Sequence, residues 1–127
     1  MKSNWGFTTT GHFPYHCLIS YNMEQAVLSK TLKRKKYAGW SEFVDESTDQ
    51  FDGRNWAVRQ GKYFMIVLCN NVTLTDEGYL TIAHECLHIV QFVSKYVCAD
   101  MIEEKESSPY LLEHVMRACI KVIREAR

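Results

Sequence analysis

Thr81-Ile82-Ala83-His84-Glu85-Cys86-Leu87-His88-Ile89-Val90 is the stretch around which the chain organises. Just upstream, Thr75 offers a helix N-cap and Asp76 and Glu77 put two acids in the first turn, where the helix dipole favours them. The spacing predicts a helix from there to about Val97. The residues flanking the two histidines are uncharged or apolar, so the helix is expected to lock into a core. Asn70-Asn71 separates it from Tyr63–Cys69, the longest unbroken apolar run and a fit for a central strand covered on both faces. Arg54–Arg59, with Trp56 and Val58 on one face, is expected to pair with that run as a hairpin turning at Gly61-Lys62. Downstream, Ser108-Pro109 marks a last helix, with Pro tolerated in its first turn and Leu112, Val115, Met116, Cys119, Ile120 and Ile123 at helical spacing.

The N-terminal half is less patterned. Tyr15–Tyr21 follows the turn-prone Gly11–Pro14 and reads as a strand. Asn22 with Gln25 three residues on forms a capping-box pattern, predicting a helix to about Lys36 that Gly39 ends. Trp40–Gly53, with Asp45, Glu46, Asp49 and Asp52 among scattered aromatics, reads as an irregular loop. No repeat, linker or low-complexity stretch divides the chain, so residues 1–127 are expected to form one α+β domain. The expected architecture is a small, mostly antiparallel sheet packed with an N-terminal helix, a central helix carrying the two histidines and a C-terminal helix.

Composition sets the outer limits. The 127 residues are 46% hydrophobic and 13% aromatic, enough to close a core and unlike a disordered chain. Fifteen Lys and Arg balance fifteen Asp and Glu, which argues against a protein whose main task is neutralising many phosphates. Met1–Gly6 does not read as a secretory signal, and no apolar run reaches the ~18–20 residues of a membrane span. Cys17, Cys69, Cys86, Cys98 and Cys119 are odd in number and lack a C-x-x-C pair, so each is expected to be a buried small apolar residue in a reducing cytoplasm.

The chemistry lies in His84-Glu85-x-x-His88. Four residues apart on a helix, the two imidazoles share a face one turn apart and can both bind one metal ion, most suitably Zn2+. Glu85, beside them, is placed to take a proton from a zinc-bound water as it attacks a carbonyl. With five His and ten Glu in the chain, chance yields this pattern roughly 0.015 times, so coincidence is a poor explanation. A catalytic zinc needs a third protein ligand. The downstream candidates are Glu103, Glu104, Glu106, Glu113 and His114.

This segment resembles the active-site helix of the zincin metallopeptidases, and H-E-x-x-H followed by a Glu some 18 to 20 residues on is the gluzincin arrangement. Glu106 lies 18 residues after His88, and Glu106-Ser107-Ser108-Pro109-Tyr110-Leu111 is similar to the E-x-x-A-Y pattern of minimal gluzincin-like domains, among them small phage-encoded proteins. The likeness spans Leu74–Arg127. It implies Glu106 as third ligand, peptide-bond hydrolysis as the reaction, and a peptide or protein as substrate. It also implies a cytoplasmic location, in the host if the protein is phage-encoded. Pro109 departs from the family pattern, because a proline there is incompatible with Glu106 a full turn inside a helix. Glu113, His114, Glu103 and Glu104 therefore remain alternatives.

Tyr110 and His114, four residues apart, are candidates to donate a hydrogen bond to a developing oxyanion, and Tyr110 is the one carried forward. An alternative reading keeps the zinc as a staple between helices in a non-catalytic protein that binds or inhibits a host factor. Lys30, Lys33, Arg34, Lys35 and Lys36 form the only basic cluster; as cations at a helix C-terminus they complement the dipole, so nucleic acid is not the expected partner, and a nucleic-acid-binding protein using this helix is a third reading. His12 and His16 are read as structural.

Overall fold

The apolar run ending at Cys69 becomes an inner strand of a four-stranded sheet in the computed structural model, which describes residues 4–10, 13–46, 56–60, 64–96 and 107–126. The strands are β1 (Trp5–Thr10), β2 (Phe13–Ser20), β3 (Trp56–Gln60) and β4 (Phe64–Cys69), in the order β1-β2-β4-β3. β4 pairs antiparallel with β3, as the hairpin reading expects, while its other neighbour, β2, runs parallel to it. β1 and β2 pair antiparallel. The sheet is thus mostly antiparallel with a parallel pair at its centre, and the fold is α+β.

Among the described residues four helices accompany the sheet: α1 (Gln25–Arg34), α2 (Ala38–Asp45), α3 (Asp76–Tyr96) and α4 (Ser107–Glu125). Successive side chains of a strand point to opposite faces, and β2 and β4 each feed two cores. Cys17 and Ile19 of β2 with Met65, Val67 and Cys69 of β4 pack against α3 and α4. Leu18, Ile66 and Leu68 face the other way, against Leu28 and Leu32 of α1 and Phe43 and Val44 of α2. Burial on both faces is why the second strand of the hairpin carries no polar alternation. Each fully buried Ile, Val or Leu there contributes about 1.5–3 kcal/mol of transfer free energy.

Two expectations for the N-terminal half need correction, and one strand lies where no element was expected. β1, whose Thr8-Thr9-Thr10 run lacks an apolar alternation, was not legible as a strand and forms an edge of the sheet. α1 begins at Gln25 rather than at an Asn22 cap. Asn22 has a positive φ of 51° and works between strands: its N–H donates to Asn70 Oδ1 (3.0 Å), and Asn71 N–H donates to Asn22 Oδ1 (2.7 Å). This exchange ties together the carboxyl ends of the parallel strands. Gln25 donates through Nε2 to the carbonyls of Val44 and Asp45. The second correction is α2, which occupies Ala38–Asp45, including Gly39 and the Trp40–Asp45 part of the stretch expected to be a loop. Packing of Phe43 and Val44 and a buried Ser29–Ser41 hydroxyl pair at 2.8 Å outweigh the loop-like composition. Residues 47–53 of that stretch, like the Gly61-Lys62 turn, lie outside the described residues.

Where Gly39 was expected to end α1, Lys36 does so. Lys36 N–H donates to Lys33 O and Tyr37 N–H to Leu32 O, the paired bonds of a Schellman motif, with Lys36 in the left-handed region at φ 67°. A side chain in that conformation costs roughly 1–2 kcal/mol relative to glycine. Lys36→Gly is expected to raise the stability measured by guanidinium denaturation by about 1 kcal/mol. An unchanged or lowered midpoint would contradict this account of the turn.

α3 starts as the sequence predicts. Gly78 N–H donates to Thr75 Oγ1 (3.3 Å), with Asp76 and Glu77 in the first turn. The backbone at Thr73 closes over this turn so tightly that a Cβ on Gly78 would lie 1.6 Å from the Thr73 carbonyl oxygen. Since a carbonyl cannot swing aside like a side chain, Gly78→Ala must displace the segment that aims α3. The expected cost is about 1–3 kcal/mol, read as a lowered denaturation midpoint with unchanged m-value; an unaltered midpoint would refute the close approach.

Candidate metal centre

Ile82, Cys86, Ile89, Val90 and Val93 form the buried stripe of α3. With 100° per residue, His84 falls on the side opposite that stripe, and His88 one turn further on. His84 is exposed, and Glu85 and His88 are half-buried. The donor atoms of His84, Glu85 and His88 all lie within 4.8 Å of one another, and the two imidazole rings meet nearly edge to face at 5.1 Å. Leu80 (70% exposed) and Leu87 (43% exposed) flank the histidines, giving the motif an apolar border open to solvent.

Gln91 orients one of the imidazoles. His88 Nδ1 and Gln91 Oε1 are 3.3 Å apart; in the tautomer whose Nδ1–H donates to that oxygen, Nε2 keeps its lone pair for a metal. Two imidazoles and a carboxylate this close together could hold a metal ion. Among the described residues, the other ligand candidates do not join the group. Glu113 pairs with Arg117 at 2.8 Å, and His114 Nε2 sits 3.2 Å from Thr8 Oγ1 of β1. Tyr110 is exposed in the first turn of α4. Glu103, Glu104 and Glu106, together with His12, lie outside the described residues, and His16 is exposed on β2.

Below the motif is a feature that the sequence read only one residue at a time. Cys17, Cys69, Cys86 and Cys119 are all buried and come from β2, β4, α3 and α4. Cys86 Sγ lies 3.9 Å from Cys119 Sγ, and Cys119 also meets Cys69. Burial, then the nearby Cys86, pushes the Cys17 thiol up. Burial dominates the upward shift of Cys69. The hydrogen bond with Cys119 and then burial raise Cys86, and the hydrogen bond with Cys69 leads the rise of Cys119. These are neutral thiols packed as core, as expected for each singly; Cys98 lies outside the described residues. No helix among the described residues is long and apolar enough to cross a membrane. No family model, curated protein or solved structure matches the chain.

Proposed function

We propose that the protein is a zinc-dependent peptide hydrolase of the zincin kind, with His84 and His88 as metal ligands and Glu85 as general base. The observation that carries this reading is the convergence of the three donors within 4.8 Å on the solvent side of α3. Glu106 is the proposed third ligand on its spacing from His88 alone. When bound, zinc polarises a carbonyl oxygen and eases the loss of a proton from water. Glu85 takes the proton from the water that attacks the peptide carbonyl and passes it to the leaving amine as the C–N bond breaks. The Gln91 side chain lies within hydrogen-bonding distance of His88 Nδ1, and Leu80 and Leu87 offer contact to apolar substrate side chains. Tyr110 is the proposed donor to the developing oxyanion.

The exposure of His84, which leaves one donor of the group accessible from solvent, supports the hydrolase over the zinc staple, because a catalytic zinc keeps a coordination position for water or substrate. The test is cleavage of a quenched-fluorescent peptide mixture by the full chain. Cleavage that stops on chelation and returns with added zinc is expected. Absence of cleavage by zinc-loaded protein, or cleavage indifferent to chelator, would overturn the reading.

A further inference from the structure

We propose that a groove along α1, separate from the histidine motif, binds single-stranded nucleic acid. A cavity of about 860 Å3 runs between the start of β1 and one face of α1, within the ~300–1,000 Å3 usual for ligand sites. Trp5, Met23, Val27 and Tyr37 supply apolar and aromatic walls, and Arg34 and Lys35 stand at one end. Glu24, at the far end of α1, is the acid among the described lining residues. Lys30 lies three residues after Val27 and four before Arg34, on the same helix row, so it stands on the rim. Lys30, Lys33, Arg34, Lys35 and Lys36 are all exposed, and none is in an ion pair among the described residues.

The aromatic side is braced. Phe7 meets Trp5 at 5.6 Å and Tyr37 at 5.0 Å, both edge to face, and Trp40 at 5.1 Å. Tyr37 is thereby held while 43% of it stays exposed. A fixed, accessible ring next to cations matches the two needs of a single strand, a surface on which a base stacks and charges that track phosphates. An acidic peptide would use the cations but not the ring. The zero net charge of the whole chain conceals this local stripe.

The experiment is fluorescence anisotropy of labelled oligo(dT) and oligo(U) 15-mers with the full chain, with EDTA present to keep the metal site out of play. Binding is expected to weaken with salt at a log–log slope of about −0.7 per phosphate contacted, near −2 for contacts by Lys30, Arg34 and Lys35. The double variant Arg34→Ala/Lys35→Ala should flatten the slope to about −0.7. Tyr37→Ala should weaken binding roughly tenfold or more at an unchanged slope. The thermal midpoint of each variant controls for folding, and the exposed double variant suffices if Tyr37→Ala loses its transition. His84→Ala and His88→Ala should bind as the parent does. The proposal is overturned by no binding at low salt, by salt-independent affinity, by a double variant that binds like the parent, or by loss of binding in the histidine variants. An oligoglutamate peptide of equal charge that competes as well as oligo(dT) would also overturn it, assigning the groove to acidic peptides.

Discussion

Stability is expected to collapse as the pH is raised from 9 to about 10.5, because the core is closed around thiols that must stay protonated. Burial, led for Cys119 by its bond with Cys69, holds Cys17, Cys69 and Cys119 above the ordinary thiol value of 9.0. A group whose folded-state pKa is raised contributes stability that is complete below its unfolded value. That stability is lost as the pH rises above the unfolded value, since the unfolded chain then releases protons that the folded one keeps. A thiol that stays protonated in the folded chain contributes a loss approaching about 1.4 kcal/mol per pH unit above 9. Three such thiols approach about 4 kcal/mol per unit at most, against a total stability for a domain of roughly 5–15 kcal/mol. Guanidinium denaturation at half-unit steps from about pH 7 to about 10.5 reads this directly. A level profile to pH 9 followed by a steep fall is expected, with Cys17→Val falling less steeply by about 1.4 kcal/mol per unit. Stability that stays flat through pH 10 would mean that the thiols are not held as described.

Glu85→Gln is expected to leave zinc binding intact and to lower peptide cleavage by about 10²–10⁴-fold, the usual contribution of a positioned general base. The substitution preserves the size of a half-buried side chain and removes only its ability to take a proton. KM should move little, because the lost interaction belongs to proton transfer rather than to substrate binding. Full activity in this variant would remove Glu85 from the base role. Loss of zinc would instead make the carboxylate a ligand, which its place in the three-donor group also permits.

What could be read from the residues follows from how local each cause is. The β3–β4 hairpin, α3 and α4 were legible because their signals lie within each segment: an apolar run after a turn, Thr75 with two acids, and Ser108-Pro109 ahead of a helical stripe. The joint position of His84, Glu85 and His88 follows from helix periodicity alone. α2 was not legible because its order comes from partners distant in sequence, including Gln25 reaching the carbonyls of Val44 and Asp45. Asn22 was misassigned for the same reason, its partners being Asn70 and Asn71. Burial of Cys17, Cys69, Cys86 and Cys119 could be read singly, but their meeting depends on β2, β4, α3 and α4 converging on one layer of the core. The basic cluster gained a possible ligand only when α1 was seen beside Trp5 and Tyr37.

The central claim, that His84 and His88 hold a zinc ion, is tested most directly by measuring bound zinc per chain after exhaustive dialysis of the full-length protein and its variants. One zinc per chain is expected in the parent and in Glu85→Gln, and none in His84→Ala or His88→Ala. A parent without stoichiometric zinc, or histidine variants that retain it, would contradict the account.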